Sequence, residues 1–301
     1  MNFFRISTQD AIRATVAYAD IFDYPLTREE LRTWMIISSK KIQKVRGIDE
    51  KNGLFYVHRR SALIKFRQAR QFWQEKKWNI ARRAAWWLSL IPTIHLVGVT
   101  GGLAMNNADE DDDIDLFIIT AFRALWISRL LATGLMQLVG LRRKPDETYV
   151  KNKVCLNMFM APRYTTYALG LDIPSEERDC FSAHEVLQMC PIWEQPGIYH
   201  KFIGSNGWVD AYLPCALALK QKQQVVSVHR TPSLVIVLFR IFEYPAKMLQ
   251  LWYMRKRRTS EVITDTIIRF HPKDARIWVK RKLAARLVKF NIPLDKVFYA
   301  R

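Results

Sequence analysis

The chain has 301 residues, half of them hydrophobic and a quarter charged, with 47 Lys and Arg against 28 Asp and Glu. That composition argues against a disordered chain and against a membrane protein, and the length suits more than one packed unit. The net charge of +19 suits an anionic partner, whether nucleic acid, nucleotide phosphates or a membrane surface, and a solvated basic face would look the same.

Taken in chain order, residues 1–10 lack the apolar run of a signal peptide. Residues 10–21 place Ile12, Val16 and Ala19 at helical spacing, and Tyr24-Pro25 ends that helix. Thr27 and Glu30 have the form of a capping box, which opens a second helix, and residues 40–46 extend it as a basic turn or two. Asn52-Gly53 between strand formers predicts a hairpin. Helices followed by a two-stranded wing are the order of a winged-helix module over residues 1–60. Its Lys40, Lys41, Lys44, Arg46, Arg59 and Arg60 suit phosphate contacts, with a purely structural or docking role as the alternative.

Residues 61–90 predict one long connecting helix whose aromatic side chains read as core packing. A buried strand at 94–99 then runs into Gly101-Gly102. Ten residues later come Asp113 and Asp115, alternating with Ile114 and Leu116 at the start of a second apolar strand. Period two puts both carboxylates on one face. Two such carboxylates repel each other unless a divalent cation neutralises them, and glycines let backbone amides approach phosphate. An apolar helix at 121–140 separates this strand from the next, 153–160, which carries Asn157 at its centre.

The Gly-Gly to Asp-x-Asp arrangement resembles the polymerase-β-like nucleotidyltransferase superfamily. The order of modules resembles uncharacterised bacterial nucleotidyltransferase-domain proteins with a winged-helix-like N-terminus. The resemblance implies an α+β fold with a small mixed sheet flanked by helices, the nucleotidyltransferase core spanning residues 91–180. It implies that Gly101 and Gly102 hold a nucleoside triphosphate and that Asp113 and Asp115 are catalytic and ligate Mg2+ or Mn2+, with Asn157 as a third ligand. Asn157 stands where the family has a carboxylate; it can lend a neutral oxygen but cannot act as a base. Asp146, Glu147 and Asp172 are the other acids that could serve.

The remaining residues, 181–301, predict a helical basic region with a strand of the sheet expected just before it at 165–171. Ser182 and Glu185 read as a capping pair, and Ile277, Leu283, Leu287 and Phe290 as the apolar stripe of the last helix. From residue 251 onward fourteen Lys and Arg face four acids, which suits nucleic acid or a solvated cationic face. The four cysteines have no metal-ligand spacing and read as reduced thiols. The apolar runs at 125–141 and 233–254 are broken by charges and fall short of the ~20 residues of a span. The expectation is therefore a cytoplasmic, metal-dependent nucleotidyltransferase acting on an unidentified acceptor, with no membrane partner. The alternative is a catalytically quiet member that binds nucleotide or nucleic acid. A protein partner or homo-oligomer could form through the apolar helix at 121–140.

Overall fold

The computed structural model describes residues 6–36, 42–144, 147–164, 173–227, 232–255, 262–269 and 275–299. Helix α1 (Thr8–Asp20) opens on Ser7, whose hydroxyl accepts the Asp10 amide. Strand β1 (Leu26–Thr27) leads into α2 (Arg28–Thr33) through the capping box at Thr27 and Glu30, which is formed. The hairpin of β2 (Ile48–Lys51) and β3 (Leu54–Val57) turns at Asn52 and Gly53, both at positive φ as a type I′ turn requires. These strands form a small antiparallel sheet in the order β1-β3-β2. The basic helical extension expected at 40–46 is absent from residues 42–46, where Ile42 and Val45 pack against the core from irregular chain; Lys40 and Lys41 lie outside the described residues.

Helix α3 (Leu63–Ser89) spans the flank of the second, six-stranded sheet. That sheet is built from β4 (Ile94–Val99), β5 (Ile114–Thr120), β6 (Val154–Met160), β7 (Cys190–Glu194), β8 (Val262–Ile263) and β9 (Ile267–Arg269). Its order is β7-β4-β5-β6-β9-β8, parallel between β5 and β6 and antiparallel elsewhere. Between β4 and β5 lies the single-turn α4 (Gly101–Ala104), and α5 (Leu125–Leu138) makes the crossover from β5 to β6. The helices α6 (Cys180–Gln188), α7 (Ile198–Ser205), α8 (Pro214–Lys220), α9 (Ser233–Arg240), α10 (Glu243–Met254), α11 (Ala275–Leu287) and α12 (Asp295–Phe298) complete the chain. The fold is α+β, with a mixed sheet between helices.

Alternation along β5 divides the core. Leu116 and Ile118 join a cluster with α3, α5 and α10, whereas Phe117 and Ile119 join one with α1, α6, α7 and α11. Residues from the first sixty and from the last hundred therefore share a core against one sheet face. The C-terminal region is less purely helical than the sequence implies. Strands β7, β8 and β9 are two to five residues long, too short to show alternation, and Pro191 sits inside β7. Their burial is decided by the neighbouring strands. The strand expected at 165–171 lies outside the described residues.

Three smaller expectations are also revised. Helix α6 begins one turn earlier than Ser182: its cap is Asp179, whose carboxylate accepts the Ser182 amide. On α11 the buried stripe is Val279, Leu283 and Leu287, while Ile277 is exposed. On α3 only some aromatics are core, since Trp78 and Trp87 pack inward while Phe66, Phe72 and Trp86 face out. Among the described residues no helix is long and apolar enough to cross a membrane.

Candidate metal and nucleotide site

The site forms where β4 turns into α4 and β5 begins. The Thr100 amide donates to the Asp115 carbonyl at 3.0 Å, pinning the turn to the strand. Gly101 has φ of 65°, and a Cβ there would lie 2.7 Å from Asp115 Oδ2. Only glycine meets both demands. Gly102 is less constrained: a Cβ would meet Ala108 at 3.6 Å, an ordinary contact.

Helix α3 holds the linker between glycines and acids. Arg70 binds Asn107 Oδ1 at 2.6 Å and Asp109 at 2.8 Å, and Gln74 donates to the Ala108 carbonyl at 3.0 Å. The buried Lys77 donates to the carbonyls of Glu110 and Asp112. The acidic run 109–112 is thus a clamped loop that sets where Asp113 enters the sheet.

Asp113 and Asp115 do share a side of β5, and one carboxylate oxygen of each lies with Cys155 Sγ in a group no wider than 4.8 Å. Arg143 Nη1 approaches Asp113 Oδ2 at 2.6 Å. Burial pushes the Asp115 carboxyl up, and the neighbouring Asp113 charge adds to this; the Cys155 thiol, donating to it, and Arg143 pull the other way. Burial, with both carboxylates nearby, drives the Cys155 thiol well up, so it stays protonated. These three groups could hold a cation, the two carboxylates offering the oxygens that hard cations take and Cys155 a sulfur.

The residue facing Asp115 across β6 is Cys155, not Asn157. Asp115 pairs with Cys155 but Phe117 pairs with Met158, so β6 carries one extra residue here. Asn157 lies two residues further along β6, at that bulge, and stands opposite Asp115 in the register of neither side. Asn157 is buried and lines a cavity of about 140 Å3 with Thr100, Phe117, Glu177, Glu185 and Arg269. Of the other acids considered, Glu147 binds the Lys144 amide at 3.0 Å, and Asp146 and Asp172 lie outside the described residues.

A carboxylate does reach this region from elsewhere. Glu185 of α6 lines the first cavity and also a second, of about 130 Å3, bounded by Gly101, Gly102, Tyr18, Trp34 and His184. It lies deep in the fold with part of its surface open to these cavities. Burial raises its carboxyl to about 7, and its charge is felt at Asp115. His184 is structural: its ring stacks on Tyr18 at 3.8 Å, its Nδ1 lies 2.8 Å from the Cys180 carbonyl, and burial lowers its pKa to about 4. Sequence reasoning missed Arg143 and Cys155 as site residues, and it weighed Glu185 as a general base but took it for a capping residue. The basic triplet Arg142-Arg143-Lys144 was a visible signal for the first; the other two depend on register and on helix packing.

Family models, curated proteins and solved structures were all compared with the chain, and none matches it.

Proposed function

We infer that the chain is a metal-dependent nucleotidyltransferase that moves a nucleoside monophosphate from a nucleoside triphosphate to an acceptor hydroxyl. The carrying observation is the carboxylate pair Asp113 and Asp115 packed against a glycine turn that has no room for a side chain at Gly101. Asp113 and Asp115 would hold Mg2+ or Mn2+. When bound, the cation would neutralise the carboxylate pair and the substrate phosphates.

In this reading the open backbone at Gly101 and Gly102 cradles phosphate oxygens. The Arg143 guanidinium, already beside Asp113, supplies a second positive group for them. The second cavity adjoins the glycines and is walled by Tyr18, Tyr24, Trp34 and His184; its flat faces suit a nucleobase. Glu185 is the proton acceptor: the acceptor oxygen bonds to the α-phosphorus as the bond to pyrophosphate breaks, and the hydroxyl proton goes to Glu185. A carboxylate near pH 7 is suited to that task. For the winged-helix-like N-terminal unit, the position of Tyr18, Tyr24 and Trp34 on the wall of the cavity favours a substrate-docking role over DNA reading. Lys44, Arg46 and Arg59 are exposed, while Arg60 is tied to Asp20 and Asp23.

A second reading has its own support. Cys155 occupies the place opposite Asp115 where a carboxylate would complete a metal shell, so the chain could bind nucleotide without turning it over. Incubation of labelled ATP, CTP, GTP and UTP with Mn2+ or Mg2+ and candidate hydroxyl acceptors separates the two. Transfer that is abolished in both Asp113→Ala and Asp115→Ala supports the enzyme. Nucleotide binding that needs these acids, with no transfer of any label, supports the quiet form. No nucleotide or cation binding by calorimetry overturns both.

A further inference from the structure

The outer flank of α9 and α10 is apolar where a solvent-facing surface should be polar. Both helices put inner residues into the core behind the sheet: Ile236 from α9, and from α10 Ala246, with Leu251 packed against that core. Gln250 and Glu243 fasten α10 to α5, the Glu243 carboxylate accepting the amides of Trp126 and Ile127 at 2.9 Å. The interface helix expected at 121–140 is therefore largely covered by α10. The opposite faces are uncovered, with Trp252 73% exposed, Leu234 72%, Tyr244 70% and Ile241 68%, alongside Leu238 and Leu249. Patches of this extent mark a surface that meets something apolar.

Charge decides what that is. In the sequence four cations, Arg255-Lys256-Arg257-Arg258, follow α10 directly, and the acid of these two helices, Glu243, is turned inward onto α5. Arg255 is exposed at the end of α10, and Lys247 lies on the same helix, paired to the exposed Asp265. A nucleic acid would answer the charge but leave the aliphatic side chains in water. A protein partner would answer the apolar face without requiring a run of four cations at its end. A bilayer with anionic headgroups answers both, and Trp and Tyr are the residues that settle at its boundary.

We propose that α9 and α10 form a docking surface for an anionic lipid bilayer, lying in the headgroup region without spanning it. This surface is separate from the carboxylate site and stands whether or not transfer occurs there. The test is co-sedimentation of the full-length protein with phosphatidylcholine vesicles, with and without phosphatidylglycerol. Binding is expected only with the anionic lipid and falls as salt is raised. The double substitution Leu249→Ser with Trp252→Ser, at exposed positions and checked for an unchanged circular dichroism spectrum, is expected to weaken binding by about tenfold or more. Arg255→Glu weakens it further, and Trp252→Phe largely retains it.

Failure to sediment with anionic vesicles at low salt overturns the proposal. So does sedimentation that the double variant keeps undiminished, which would be attraction by net charge alone. A dimer in light scattering that the double variant dissociates, without vesicle binding, would assign the face to a second copy. Retention on RNA or DNA that the double variant abolishes, again without vesicle binding, would assign it to nucleic acid.

Discussion

Asp115 is held by its surroundings in a way that costs stability. It is buried beside Asp113, with the Cys155 thiol and, at Asp113, Arg143 as partial compensation. Asp115→Asn removes a buried like-charge neighbour while keeping shape, so the cation-free protein is expected to gain about 1 kcal/mol in denaturant unfolding while Mn2+ uptake is lost. The two glycines are also not equivalent. Gly101→Ala forces a side chain into positive φ and against the Asp115 carboxylate, with an expected cost of about 1–3 kcal/mol. Gly102→Ser meets only ordinary contacts; its melting temperature is expected to stay close to that of the parent, and the hydroxyl adds a donor for phosphate. The glycine pair is plain in the sequence, but which member is indispensable emerges only from how close Asp115 approaches.

At the scale of elements, α3 and α6 do what neither shows in its own sequence. The basic residues Arg70 and Lys77 of α3 clamp the linker 107–112. Lys77→Met leaves two carbonyls without their donor, and amide exchange in 107–112 is expected to quicken while α3 itself stays protected. Helix α6 carries opposing titrations. His184, held near 4, leaves the unfolded chain binding the extra proton between about 4 and its ordinary 6.5, so its contribution is lost as pH falls through that window. Glu185, raised from 4.5 to about 7, holds a proton that the unfolded chain releases, so its contribution is lost as pH rises from 4.5 to 7. Thermal scans of Glu185→Gln are therefore expected to show a gain over the parent at pH 8 and little difference at pH 5.

Across the whole molecule, the N-terminal unit and the C-terminal helices are tied through one core and by charge. Asp20 of α1 takes the guanidinium of Arg286 from α11 at 2.7 Å and lies 2.6 Å from Arg60. Truncating Asp20 leaves Arg286 without its carboxylate and Arg60 with Asp23 alone, so Asp20→Ala is expected to cost roughly 2 kcal/mol. The parent is expected to unfold in a single calorimetric transition, because α1, α6 and α11 bury residues in the same cluster. Part of the basic excess is spent inside the fold in the same manner: Arg269 and Arg276 bind Glu177 and Asp179. Arg281, Lys282 and Lys289 remain exposed.

What the amino-acid sequence determined alone is local. Alternation of Asp113, Ile114, Asp115 and Leu116 puts both acids on one face, Thr27 and Glu30 cap α2, and Asn52-Gly53 turns the hairpin, because each depends on neighbours a few positions away. The tertiary structure alone decided what faces these groups. Strand pairing brings Cys155 opposite Asp115, and Asn157, beside a one-residue bulge in β6, lines a cavity. Packing of α6 delivers Glu185 between two cavities. Covering of α5 by α10 leaves the outer faces of α9 and α10 in solvent. Register and helix docking are set by summed contacts between distant segments, and no periodicity within one segment encodes them.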